Sequence, residues 1–348
     1  MTDRGGASHP VVELTLARLR EFLREPEAVF WVFVFPILLA FALGIAFRTN
    51  TSQVVHIGVE RGEGAEGLVQ ALGAAPGIEA RLVEPEHADT ALRDGEVQVI
   101  VRAGDRPTYR YDPSRPESRL ARETADAALQ AAAGRRDVFE ARTEEVVLPG
   151  SRYIDWLIPG LLGMNIMGTG LWGIGFAIVQ ARTKKLLKRF LATPMVRSEY
   201  LLAHLLARLL FLGLEVGALM IFAWLVFDVP MRGPLALFVA LTLLGALSFG
   251  GLGLLLASRA RTVEAVSGLM NFAMLPMWIL SGVFFSSANF PAVMQPFIHA
   301  LPLTALNDSL RAVMLDGRGA VEVLPEAGVL IAWGVMCFAV ALRIFRWR

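Results

Sequence analysis

The chain predicts a polytopic α-helical membrane protein, with six spans and a small α/β domain held between the first two. Three features of its 348 residues lead there. Hydrophobic residues make up 55% of it and charged ones 19%, with a mean hydropathy of +0.52, too apolar for an ordinary soluble protein. Six stretches come close to the roughly 20 apolar residues that a helix needs to cross hydrocarbon. The long interval between the first two is polar and alternates strand and helix patterns.

Residues 1–28 come first. Val12, Leu16, Leu19 and Leu23 recur at helical spacing with Arg18, Arg20, Glu21, Arg24 and Glu25 on the other sides. That suits an amphipathic helix lying on the cytoplasmic membrane surface or packed on protein. The apolar run from Val29 has no small-residue cleavage site directly behind it, so 29–47 reads as a retained first span.

From 48 to 152 the pattern changes. Residues 54–59 (VVHIGV), 78–83 (IEARLV), 97–102 (VQVIVR) and 107–111 (PTYRY) read as strands, and about 64–72, 87–93 and 116–133 as helices. Alternating strands and helices build a layered α/β domain. Its histidines, His56 and His87, have no second ligand at metal-binding spacing. The domain therefore reads as a gate, a docking surface or a cap.

The remaining spans are expected at 156–180, 201–227, 234–257, 263–285 and 326–342. Gly160, Gly163, Gly168, Gly170, Gly173 and Gly175 in the second, and Gly245, Gly250, Gly251 and Gly253 in the fourth, predict close helix contact. Residues 286–315 are apolar yet broken by Pro291, Pro296 and Pro302, so they read as a re-entrant segment of half-helices dipping in from outside. Irregular backbone at that depth is tolerated only against protein or water.

Orientation follows from Lys and Arg near helix ends, which stay cytoplasmic. Segment 181–200 decides it, with Arg182, Lys184, Lys185, Lys188, Arg189 and Arg197, including all three lysines of the chain. The connection before 234 holds Asp228 and Arg232 alone as charges, whereas the next has Arg259 and Arg261 and the tail ends in Arg343, Arg346 and Arg348. Both termini are thus expected inside and 48–152 outside. The fourteen arginines of that interval lie in a domain too long for the rule.

Several functions are disfavoured. A net charge of +1 gives no reason to expect nucleic acid. The one cysteine, Cys337, leaves no disulfide framework or thiolate metal site within a chain. No Gly-rich loop ends in Gly-Lys-Ser/Thr, so there is no Walker A phosphate cradle.

Polar residues inside spans are costly and face protein or water. Glu215 lies seven residues beyond Arg208, on nearly the same helix face and about 10 Å along the axis, with His204 a turn before. This stripe predicts either a transport route or an interhelical ion pair. Asn165 and Asn271 read as helix-to-helix hydrogen-bonding groups that would accompany such a route. The basic segment, cut by Thr193-Pro194 and resumed at Ser198, reads as a short helix that anchors to anionic lipid or docks a partner.

That segment resembles the cytoplasmic coupling region of the type-2 ATP-binding-cassette exporter permeases: Leu186-Leu187, Arg189, Leu191, Ala192, Thr193 and Pro194 stand at the matching positions, with Lys184-Lys185 where many members carry Gly-Thr. A second match runs through Pro276, Leu280-Ser281-Gly282, Phe284-Phe285, Pro291, Pro302-Leu303-Thr304, Leu310-Arg311 and Gly317, and a third is RYIDWLIPGLLGMNIM at 152–167. The resemblance implies ATPase coupling through Arg182, Lys184, Leu186, Leu187, Arg189, Thr193 and Pro194. It implies an outer gate at Leu280, Ser281, Gly282, Pro302 and Thr304. It further implies a bacterial cytoplasmic membrane, a second permease copy alongside, and a separate cytoplasmic nucleotide-binding subunit that holds ATP and Mg, with no cofactor on this chain. The expected activity is outward export of an amphipathic or lipid-like molecule. The alternatives are ATP-driven force transmission to an extracytoplasmic partner, and an ion-coupled transporter with Glu215 as its ion site.

Overall fold

The computed structural model describes residues 15–16, 19–20, 23–47, 54–104, 106–135, 150, 152–183, 197–260 and 262–344. The chain divides into two compact units, Thr49–Val146 and the remainder, Met1–Arg48 with Val147–Arg348.

The smaller unit is a four-stranded sheet in the order β2-β1-β3-β4, from β1 (Val55–Glu60), β2 (Ile78–Val83), β3 (Val99–Arg102) and β4 (Thr108–Arg110). β1 is parallel to both β2 and β3, whereas β4 runs antiparallel to β3. Parallel neighbours need helical crossovers, and α2 (Ala65–Gly73) and α3 (Ala88–Arg93) supply them. Alternation along the strands feeds two cores. Ile57, Val59, Val99 and Val101 pack with Leu72 of α2 and with Ala121, Ala125 and Leu129 of α4 (Pro116–Ala132). Val83, Val97 and Ile100 pack with Ala88 and Ala91 of α3.

Among the described residues, the larger unit contains six helices long and apolar enough to cross a membrane. They are α1 (Pro26–Ala46), α5 (Tyr153–Thr183), α6 (Arg197–Phe227), α7 (Leu235–Ala257), α8 (Val263–Leu280) and α11 (Leu324–Ile344). The first thus begins before Val29, and most of the expected N-terminal amphipathic helix lies outside the described residues. α1 is α-helical at its ends and π-helical over Phe30–Val34, where Phe35 N–H bonds back to Phe30 O. Pro36 explains this locally, since it has no N–H to return to Val32 four residues earlier.

Two shorter helices, α9 (Gln295–His299) and α10 (Pro302–Met314), fill the interval before α11. The latter is core: Leu303, Leu306, Leu310, Val313 and Met314 are all fully buried. One expectation needs correcting. The fifth spanning helix stops at Leu280 instead of 285, because Gly282 turns the chain at φ +68°, a conformation in which side chains are strained.

Candidate functional site

Asn165 and Thr169 lie one turn apart on the face of α5 that meets α1 and α6. Asn165 Nδ2 donates to the carbonyl of Val32 at 3.1 Å. That is the carbonyl Pro36 leaves without its α-helical donor, so α5 completes a bond that α1 cannot make for itself. Thr169 Oγ1 accepts from Arg208 Nη2 at 2.9 Å and lies 3.0 Å from Glu215 Oε1. A hydroxyl has one proton to give. Glu215 competes for it with the carbonyls of Asn165 at 2.9 Å and Ile166 at 3.4 Å. Glu215 is 2% exposed and its Oε2 finds no hydrogen-bond partner among the described residues. A lone carboxylate inside an apolar bundle is costly. Arg208, one hydroxyl away, supplies the balancing charge.

A second cluster fastens α10. Arg311, 6% exposed, directs Nε and Nη2 at the carbonyl of Trp156, each at 3.3 Å, and Nη2 also bonds the carbonyl of Gly282. Its guanidinium lies 3.6 Å from the centre of the Trp156 ring, and Nη1 reaches Asp308 at 3.4 Å. Asn307 Nδ2 donates to Ser281 O at 2.9 Å. Ser281 and Gly282 follow the last turn of α8, where carbonyls lack helical donors and the helix dipole favours a cation. The sequence places donors there from another helix.

The Phe227 end of α6 is tied down as well. Arg152 pairs with the buried Asp155 at 2.7 Å and donates to Asp228 O at 3.2 Å. Hydrogen bonding to Asp155 pushes the Arg152 guanidinium above its ordinary range. Arg232 N–H donates to Met314 O at 3.0 Å, joining the turn after α6 to α10.

The α/β unit carries its own shallow cleft, lined by Asp89, Arg93, Tyr109, Arg110, Tyr111 and Arg115 among others. Burial and a 2.9 Å hydrogen bond to Asp126 push the Tyr109 phenol up to about 12. Its arginines are largely spoken for, Arg110 by Asp89 and Arg115 by the carbonyls of Leu92 and Arg93.

A family model described as ABC-2 family transporter protein matches residues 27–343, from the first apolar helix through the last. The chain belongs to that family. Among the ABC-2 relatives, YbhS of Escherichia coli K12, named a probable multidrug ABC transporter permease, is 24% identical over 93% of this chain and 93% of its own. The inner membrane transport permease YadH of Escherichia coli K12 is 28% identical over 57% of this chain and 75% of its own. The linearmycin resistance permease protein LnrN of Bacillus subtilis is 25% identical over 53% and 48%.

In this ABC-2 permease the residues expected from sequence separate into groups. Arg208, Glu215 and Asn165 come together on the α5 seam, whereas Asn271 is exposed on α8 and takes no part in it. His204 is in α6, but its side chain is not among those described. Ser281, Gly282, Pro302 and Thr304 are buried and Leu280 is partly so. Of the coupling residues, Lys184, Leu186, Leu187, Arg189, Thr193 and Pro194 lie outside the described residues, as does the side chain of Arg182. Two roles escape sequence reasoning. Thr169 reads as one more small residue in a glycine-rich helix, and Arg311 stands in the second match with no partner to go with it. Their partners lie 46 and 155 residues away, at Glu215 and Trp156.

Proposed function

We propose that this ABC-2 protein is the permease subunit of an ATP-driven exporter that moves an amphipathic or lipid-like molecule out of the cytoplasm. The observation that carries the reading is the α5–α6 seam. One compact polar cluster, Thr169 with Arg208 and Glu215, joins the middles of α5 and α6, and with the group around Arg311 and Asn307 it is set in a core that is mainly apolar. So little polarity suits a cargo with an apolar body and a small polar head, and not a hydrated solute. The names of YbhS and LnrN, a probable multidrug permease and a linearmycin resistance permease, support the same cargo class. On this reading segment 182–197 docks a cytoplasmic subunit that binds ATP and Mg, a second permease copy stands alongside, and residues 48–152 face outward.

The test is reconstitution. Inside-out vesicles holding the chain and its ATPase subunit should accumulate a lipophilic dye or a fluorescent phospholipid only with Mg-ATP. Accumulation by the chain with no ATPase present would overturn the proposal, and would favour the ion-coupled alternative. The separate compactness of the α/β unit supports a second reading, force transmission to an extracytoplasmic partner. Transport that survives removal of that unit counts against it.

A further inference from the structure

Helices α5, α7, α10 and α11 lock backbone against side chain and backbone. A Cβ on Gly170 would stand 2.8 Å from that of Phe249, and one on Gly253 2.8 Å from Leu171 O. One on Gly245 would stand 2.8 Å from the Leu306 side chain, and one on Gly251 3.2 Å from Gly334 O. Helices in such register cannot shift without overlap. α6 differs. Its glycines, Gly213 and Gly217, face open space with no atom within 4 Å of an added Cβ, and Leu206, Leu209, Leu210 and Leu214 are exposed.

Among the described side chains of α6, which begin at Leu206, those toward Phe227 are the more tightly held. At Phe227 a tight side-chain contact joins Gly44 of α1, and Asp228, at φ 52°, turns the chain under the hydrogen bond from Arg152. Beyond it Gly233 abuts Val313 O, where a Cβ would stand at 2.5 Å. Toward Arg197 the described side-chain hydrogen bonds from α6 to α5 converge on one atom, Thr169 Oγ1. Glu215 lies roughly 18 Å from Phe227 and roughly 27 Å from Arg197 at helical rise.

We infer that Thr169 is a positioning residue: it seats α6 on α5, and when that seat is vacated the Arg197 end of α6 swings about its pinned Phe227 end. A motion at Glu215 is then amplified roughly two and a half times at Arg197, by the ratio of the distances of the two residues from Phe227, about 45 Å and about 18 Å. Asn165, one turn away, holds α1 to the same face through Val32 O, so α1 and α6 are both seated by one turn of α5. The purpose of such a lever rests on the exporter reading, because Arg197 adjoins the segment proposed to receive the ATPase. The lever itself rests on packing and is testable in the isolated chain.

Spin labels placed at the exposed positions Leu210 and Val335, in a Cys337→Ala chain in nanodiscs, report the swing. A second pair at Trp224 and Val321, also exposed, reports the pinned end. Thr169→Val should broaden and shift the first distance distribution and leave the second unchanged, and Thr169→Ser should restore the first. Where Thr169→Val does not fold, Arg208→Leu with Glu215→Leu removes the same seat without stranding either charge, and should give the same broadening. A first distribution identical to wild type in the folded variant overturns the lever. So does broadening of both pairs, or a failure of serine to rescue. A wild-type chain that shows the swing but never accumulates cargo with its ATPase keeps the lever and loses the exporter reading.

Discussion

Arg311 shows what one side chain settles. Its Nε and Nη2 donate to carbonyls at the start of α5 and beyond the end of α8, Nη1 reaches Asp308, and its flat face covers Trp156. Removing it leaves buried carbonyls unpaired and Asp308 without its cation. Arg311→Met should cost about 3 kcal/mol, lowering the melting temperature in detergent, with most of the loss retained in Arg311→Lys. Lysine keeps the charge but offers no planar fork and no face to stack. A lysine variant that melts with wild type would show that charge alone is at work. Thr169 makes a smaller contribution through one oxygen, yet it is the shared partner of two ionisable residues, Arg208 and Glu215, that stand two turns apart on α6.

At the scale of elements, glycine placement separates the fixed helices from the seated one. Gly253→Ala should abolish the folded chain or lower its yield sharply, since the new Cβ would lie 2.8 Å from a backbone carbonyl. Gly213→Ala, with open space around it, should be neutral or stabilise by about 0.5–1 kcal/mol through helix propensity. Equal losses from the two substitutions would refute the distinction. The six long helices were legible because length and apolarity are local properties, and the strands because Ile57, Val59, Val99 and Val101 alternate with neighbours on the other face. The end of α8 was not, because Val283, Phe284 and Phe285 continue the apolar run while the break lies in the backbone of Gly282. The stripe of Arg208 and Glu215 was visible as periodicity on one helix. Its partner on α5 was invisible, since a threonine in a helix carries no sign of which neighbour it will meet. The π-turn had a sequence cause in Pro36, but the carbonyl that Pro36 leaves without its α-helical donor, Val32 O, mattered only once Asn165 was folded against it.

For the whole molecule, the question is which side of the membrane receives the basic segment. α5 is a continuous helix of 31 residues, about 46 Å at helical rise, against roughly 30 Å of hydrocarbon. A single crossing puts the chain before Tyr153 and the chain after Thr183 on opposite faces, whatever the sign of the orientation. The sign comes from the lysines, all of which follow α5. In a Cys337→Ala background, Lys184→Cys should therefore react with a membrane-impermeant maleimide only from the cytoplasmic side, and Glu79→Cys, at an exposed position of β2, only from outside. Reaction of both from one side would mean that α5 does not cross. Reaction in the reversed sense would leave α5 spanning but carry the basic segment away from ATP, and a cytoplasmic ATPase could then exert no push on α6 through Arg197.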